Sequence, residues 1–182
     1  WWVENTDLDG FRLDAVKHMN HNVGYLLRAA ADRLFEPSGL HFYLVGETFV
    51  GEWSEGSSNE LAEYISPQEL DGQFNFPLYW EITERIARQE NAGDMSTLDE
   101  VVRLSETRFP PPALMGTFLG NHDVPRFVTH AAGDVGDLFG FGDVGQRWFD
   151  PPDQPNWPEP YARLEVAFGL LLTLPGIPTI YY

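Results

Sequence analysis

The sequence predicts an α/β fold with a parallel sheet, and three observations carry that expectation. Short apolar β-like runs alternate with helical stretches along the 182 residues. The run from His41 to Gly46 lacks in-out alternation, as do strands buried on both faces of a parallel sheet. The helical stretches are long enough to act as crossovers, which gives right-handed βαβ units rather than a sandwich or a bundle.

Phe11 to Asp14 reads as the first strand. A helix follows over Asn22 to Phe35, where Val23, Leu26, Leu27, Ala30 and Leu34 recur on one side as an apolar stripe expected to face the core. Pro37-Ser38-Gly39 ends it. The second strand is His41 to Gly46, followed by a Gly/Ser-rich loop over Gly51 to Asn59 and a short helix near Glu60 to Ile65. Leu70 to Phe76 is the third strand, and Leu78 to Gln89 and Leu98 to Glu106 are helices, the second with Thr97 near its start. Pro110-Pro111-Pro112 precedes a fourth strand over Leu114 to Leu119. The Gly-, Asp- and Pro-rich stretch from Gly133 to Pro160 reads as a long surface loop. Tyr161 to Leu174 reads as a buried helix, and Ile177 to Tyr182 as a fifth strand set off by Pro175-Gly176. Most Trp and Phe rings are expected in the core.

This order leaves a doubly wound sheet and a (β/α) barrel. No G-x-G-x-x-G follows the first strand, which lowers the nucleotide-binding, doubly wound option. Gly140-Phe141-Gly142 has no strand before it and is not read as a phosphate cradle.

A net charge of −17 disfavours nucleic acid and anionic membranes as partners and leaves a neutral glycan compatible. The absence of cysteine excludes disulfides and thiolate metal sites. No apolar run approaches the roughly 20 residues that span a bilayer. The chain opens on Trp1-Trp2-Val3 and stops directly after an apolar run, so both ends read as cut.

In a (β/α) barrel the chemistry sits where strands end. Three predicted strand ends carry carboxylates: Asp14 in Gly10-Phe11-Arg12-Leu13-Asp14-Ala15-Val16-Lys17-His18, Glu47 in Tyr43-Leu44-Val45-Gly46-Glu47-Thr48, and Asp123 in Phe118-Leu119-Gly120-Asn121-His122-Asp123. One such carboxylate is commonly a helix N-cap. Three of them, two flanked by Arg or His, share no structural reason to converge. Glycosidic cleavage supplies one, because it needs a carboxylate and a protonated carboxylic acid, roughly 5 Å apart in retaining enzymes. Arg12, two residues before Asp14, points to the same strand face and would keep that carboxylate ionised. Glu47 has no adjacent cation in sequence and follows an apolar strand, a setting that raises a carboxyl pKa.

These segments resemble conserved motifs of the α-amylase family, glycoside hydrolase family 13. The Asp14 segment is similar to the family's fourth-strand motif, Gly46-Glu47 to its fifth, and Asn121-His122-Asp123 to its seventh. Leu70-Asp71-Gly72-Gln73-Phe74-Asn75-Phe76-Pro77 takes the sixth-strand place, and Gly176-Ile177-Pro178-Thr179-Ile180-Tyr181-Tyr182 resembles the eighth strand. The resemblance implies that residues 1–182 form an incomplete (β/α)8, or TIM, barrel comprising strands four to eight. The third-strand motif, the loop domain and the C-terminal β-domain would lie elsewhere, and the chain alone is expected to be inactive.

The resemblance further implies a retaining α-glucan hydrolase acting on α-1,4 bonds. Asp14 would be the nucleophile, Glu47 the acid/base, and Asp123 the transition-state stabiliser. Arg12, Lys17, His18 and His122 would bind substrate, and Phe49 and Trp53 could stack on sugar rings or pack the loop. It also implies a structural Ca2+ ion, held in many relatives by a backbone carbonyl at the His18 position, and a secreted or periplasmic setting. Arg126 is expected to be a structural ion-pair partner. The alternatives are a transglycosylase or exo-acting α-glucosidase of the same family, a non-catalytic α-glucan-binding protein, and a metal-dependent hydrolase using His18, His21 and His122.

Overall fold

In the computed structural model, which describes residues 1–88, 95–110, 113–139 and 148–181, every strand pairing is parallel. β1 (Gly10–Leu13) pairs with β2 (Tyr43–Gly46), setting Arg12 opposite Val45 and Leu13 opposite Gly46. β2 also pairs with β3 (Gly72–Gln73), and β4 (Gly116–Phe118) pairs with β5 (Ile177–Thr179). A bridge between Phe74 and Gly116 joins the two ladders, so the described strands lie side by side in chain order. A doubly wound sheet reverses its strand order at a switch point, whereas a barrel wall does not. The observed order is that of a barrel wall. β3 and the approach to β4 are close enough that a Cβ on Gly72 would lie 2.0 Å from the carbonyl oxygen of Leu114.

The strands are shorter than the sequence predicts. Only Gly72–Gln73 of the expected Leu70 to Phe76 is strand, because Asn75 instead caps α4 (Phe76–Ile82), its side chain accepting from the Leu78 amide at 3.2 Å. Pro77 suits that first turn. A π-helical stretch, Thr83–Arg88, continues α4; Gln89, where the predicted helix ends, lies outside the described residues. α5 (Ser96–Thr107) extends the predicted Leu98 to Glu106 at both ends.

Three helices depart further from expectation. α2 (His21–Phe35) forms, capped by Asn20, but its predicted stripe does not face the core: Val23, Leu26 and Leu34 are exposed. The buried face is Gly24, Arg28 and Ala31, with Leu27 and Phe35 packing beside them. That face is displaced by one residue, a rotation of about 100°. The cause is polar. The Arg28 guanidinium reaches Asp71 at 2.5 Å and the Phe42 carbonyl at 3.0 Å, and Gly24 lets the helix close on Glu69, where a Cβ would come within 2.4 Å of Glu69 Cγ. α3 (Glu55–Ala62) occupies most of the expected Gly51 to Asn59 loop, nucleated by Ser54, whose hydroxyl accepts from the Ser57 amide at 3.0 Å. Only Ser58 and Leu61 of α3 are buried, so little periodicity reveals it. The helix predicted over Tyr161 to Leu174 is α7 (Glu159–Leu171), buried on one side through Pro160, Ala167 and Leu171 rather than throughout.

Two short helices had no sequence signal: α1 (Trp2–Thr6) and α6 (Phe127–Ala132). Gly140-Phe141-Gly142 lies outside the described residues. The rings divide between core and surface. Phe74, Phe76, Tyr79, Trp80 and Phe118 form the centre of the core, with Tyr79 stacked on Phe118 at 5.0 Å. Against expectation, Trp1, Trp2, Trp148 and Trp157 are exposed.

Arg28 ties α2 to two further segments, being hydrogen-bonded to the carbonyls of Phe42 and Glu69 and to the Asp71 carboxylate. Removing one partner of a buried pair leaves the other charge uncompensated. Arg28→Ala in the full-length protein should therefore lower unfolding free energy by about 3–5 kcal/mol, read from urea denaturation.

Candidate active site

The parallel register decides which side chains meet. With Leu13 opposite Gly46, the next residues, Asp14 and Glu47, emerge side by side from β1 and β2. The backbone holds them at one level: the Glu47 amide donates to the Leu13 carbonyl and the Val16 amide to the Glu47 carbonyl, both at 2.9 Å. The chain then turns sharply through Ala15, which sits in the left-handed region at φ 46°, and enters a single 3-10 turn, Val16–His18.

Arg12 lies beneath both carboxylates. Its Nη1 is 2.9 Å from Asp14 Oδ1, and its Nη2 is hydrogen-bonded to Glu47 Oε2. The sequence missed the second contact, since no cation neighbours Glu47 along the chain. The register supplies it: Arg12 pairs with Val45, two residues before Glu47 and on the same strand face. Glu47 is 5% exposed, whereas the Asp14 side chain is 70% exposed. Burial pushes the Glu47 carboxyl up, and Arg12 opposes that push. The neighbouring carboxylates of Asp14 and Asp123 add to the upward push. The net direction is upward, as expected, although the neighbouring strand brings Arg12 to Glu47 in space.

The third carboxylate comes from the loop after β4. Asn121, which is buried, accepts from the Asp123 amide at 2.8 Å through Oδ1 and places Nδ2 3.4 Å from Glu47 Oε1. Sequence reading quoted Asn121 within its motif but gave it no role. His122 Nε2 lies 3.4 Å from Asp123 Oδ2, and its ring is 5.7 Å from that of Tyr181. A cavity of about 470 Å³ is lined by Asp14, Ala15, Lys17, His18, Glu47, Phe49, His122 and Asp123. Of Arg12, Asp14, Lys17, His18, Glu47, His122 and Asp123, all but Arg12 border it, and Arg12 supports two that do. A larger open groove of about 770 Å³ lies between α2 and Ser66-Pro67-Gln68 and contains none of the motif residues.

Other expectations resolve by contact. Lys17 Nζ donates to the Phe49 carbonyl at 2.8 Å, tying the β1–α2 loop to the loop after β2. Phe49 borders the cavity and also packs on Phe76 and Trp80, whereas Trp53 packs against Phe109 in the core. His21 stands apart from the cavity. Its Nδ1 is 3.0 Å from both oxygens of Glu69, its Nε2 is 3.5 Å from Glu63, and its ring stacks on Tyr64 at 4.5 Å. The grouping of His18, His21 and His122 that a three-histidine metal site needs is therefore not formed. For calcium, the described residues contain no cluster of three or more acidic or His side chains that could complete a site around the His18 carbonyl. These residues alone do not fit that ion.

The sequence profile described as "Alpha amylase, catalytic domain" matches residues 1–140. Alpha-amylase 2 of Schizosaccharomyces pombe is 29% identical over 186 aligned residues, covering 100% of this chain and 24% of that protein. The cyclomaltodextrin glucanotransferase of Niallia circulans is 27% identical, again over 100% of this chain and 20% of its own length. Among solved structures, the α-amylase from Geobacillus thermoleovorans complexed with acarbose superposes with a TM-score of 0.69 at 29% identity, covering 100% of this chain and 33% of that one. The chain thus spans a quarter or less of these two curated relatives and about a third of this solved one. Together with the strand order, these likenesses identify the fold as part of a (β/α)8 barrel.

Two outcomes follow from the electrostatics. Arg12 lowers the Glu47 pKa, so Arg12→Gln should move the Glu47 carboxyl further up in a ¹³C NMR titration. His21 is raised, first by its hydrogen bond to Glu69 and further by Glu63. Its stabilisation is therefore complete below its unfolded value of about 6.5 and lost as pH rises through the higher folded value. The drop in melting temperature caused by His21→Gln should accordingly be larger near about pH 5.5 than near about pH 8.5.

Proposed function

The chain belongs to the α-amylase catalytic-domain family, and from that premise we propose that its cleft is the catalytic centre of a retaining α-glucan hydrolase cleaving α-1,4 bonds. The observation that carries the proposal is the bridging of Asp14 and Glu47 by Arg12. Inverting glycosidases separate their carboxyls by about 6.5–9.5 Å to admit a water, whereas retaining ones hold them at about 5–5.5 Å. Here Asp14 and Glu47 leave neighbouring strand ends side by side and share one guanidinium, which supports the closer, retaining spacing.

The environments support a separate role for each carboxylate. Asp14, open to the cavity and paired with Arg12, suits the nucleophile that attacks the anomeric carbon. Glu47, buried and raised, suits the acid that protonates the leaving oxygen and then the base that activates water. Asp123 and His122 suit contacts to sugar hydroxyls, as do Lys17 and His18, which line the same cavity. An α-glucan is the proposed substrate; solved relatives hold acarbose, maltose and maltotriose, and a charge of −17 suits a neutral ligand better than a polyanion. On this reading residues 1–182 supply strands four to eight of the barrel. No helix among the described residues is long and apolar enough to cross a membrane.

A transglycosylase is the second reading, favoured by the similarity to a cyclomaltodextrin glucanotransferase over the whole chain. Water and a sugar hydroxyl compete for the same intermediate, and product profiles on maltooligosaccharides made with the full-length protein separate them. A non-catalytic α-glucan binder would need no carboxylate trio, and this cleft has one.

In the full-length protein, Glu47→Gln and Asp14→Asn should each lower kcat/KM on starch by at least about 10²–10⁴-fold with an unchanged circular dichroism spectrum. Wild-type-like rates in either would sink the assignment. Proton NMR of the first product formed should show the α-anomer; the β-anomer appearing first would exclude retention.

A further inference from the structure

Glu47 is the buried carboxyl of the cleft, and each of its oxygens has a different neighbour. Oε2 is bound by Arg12, and Oε1 faces Asn121 Nδ2 at 3.4 Å. The Asn121 amide has one permitted orientation, because the Asp123 backbone N–H donates to Oδ1 at 2.8 Å and so turns the NH2 group toward Glu47. Asn121 is itself buried, at 8% exposure, so neither contact is readily exchanged for water. From this geometry we propose that Asn121 is a positioning residue for the acid step: it fixes Glu47 Oε1 as the proton-bearing oxygen and couples its placement to the loop that carries Asp123. The inference rests on the reading of Glu47 as the acid.

The chemistry follows from which groups can donate. A guanidinium N–H already points at Oε2, so a proton on that oxygen would oppose a donor. The neutral Asn121 amide, 3.4 Å from Oε1, opposes a proton there far less than the charged guanidinium opposes one on Oε2, so Oε1 is the oxygen that carries the proton. An amide N–H beside it orients the carboxyl without competing for the proton, since a donor cannot accept one. In the step itself, the Oε1 proton moves to the glycosidic oxygen. The C1–O bond breaks with its electron pair going to that oxygen, and an electron pair of Asp14 forms the new C1–O ester bond. The leaving sugar departs as a neutral alcohol, and Glu47 becomes a carboxylate that Arg12 and Asn121 both stabilise.

A substrate that needs no proton distinguishes this role from a general structural one. Fluoride leaves without acid assistance, and kcat/KM reports only steps up to formation of the intermediate. Asn121→Asp keeps the acceptor for the Asp123 amide, replaces the donor with an acceptor and adds a negative charge beside Glu47. In the full-length protein, this variant should raise the ratio of kcat/KM for α-maltosyl fluoride over maltoheptaose at least tenfold. The alkaline limb of the maltoheptaose profile should move to higher pH, because the ionised form of Glu47 has lost a donor and gained a like charge; in Asn121→Ala, where only the donor is lost, it should move the same way by less. Asn121→Ala should shift the ratio in the same direction, which covers misfolding of either variant. An equal loss on both substrates, or no loss on either, overturns the proposal. Glu47→Gln is the control for the reading beneath it: if that variant leaves the ratio unchanged, Glu47 is not the acid and both fall. If Glu47→Gln raises the ratio and the Asn121 variants do not, only the positioning role fails.

Discussion

One guanidinium governs this site. Arg12 sits below the ends of two parallel strands and binds a carboxylate from each. Two unpaired carboxylates about 5 Å apart would repel by about 3 kcal/mol at an effective dielectric near 20. A cation between them offsets that repulsion and fixes their separation. It does not make them equivalent, because one is open to water and the other is buried. The same partner thus serves two groups whose surroundings differ, and the contrast in burial gives them different chemical characters.

That arrangement depends on the strands keeping register, and the register is anchored below the site. Arg28 of α2 reaches the carbonyl of Phe42 just before β2 and the carboxylate of Asp71 just before β3. Asp71 in turn accepts from the Leu44 amide at 2.7 Å and from His41. A helix and the starts of two strands are tied to one buried ion pair. Such pairs contribute little net free energy, but they penalise alternatives that leave a charge unmatched. A one-residue slip of β2 would turn Glu47 away from Arg12.

How far the sequence could be read depends on what each feature is made of. The order of strands and helices was legible because apolar runs and Gly/Pro breaks mark it directly. The three strand-end carboxylates were legible because they interrupt those runs. The face of α2 was not, since a buried Arg28 outweighs a stripe of leucines and nothing local signals its partner 43 residues away. α3 was hidden by its composition: only two of its side chains enter the core, so it carries no helical period. The cation beside Glu47 and the part played by Asn121 depend on strand register and loop closure, which arise between segments rather than within them. The choice between a barrel and a doubly wound sheet turned on one bridge, Phe74 to Gly116, that no single segment encodes.

Lys17 has a consequence of a different kind. It is the one lysine of these 182 residues, and it borders the cleft. Side-chain amine chemistry on this stretch of chain is therefore confined to a single place, next to the groups proposed to act on substrate. Reductive methylation would install one isotopic label there, and its resonance would report on the loop that Lys17 joins to Phe49. A polypeptide this poor in lysine supplies its own spectroscopic reporter, with no engineering of the site.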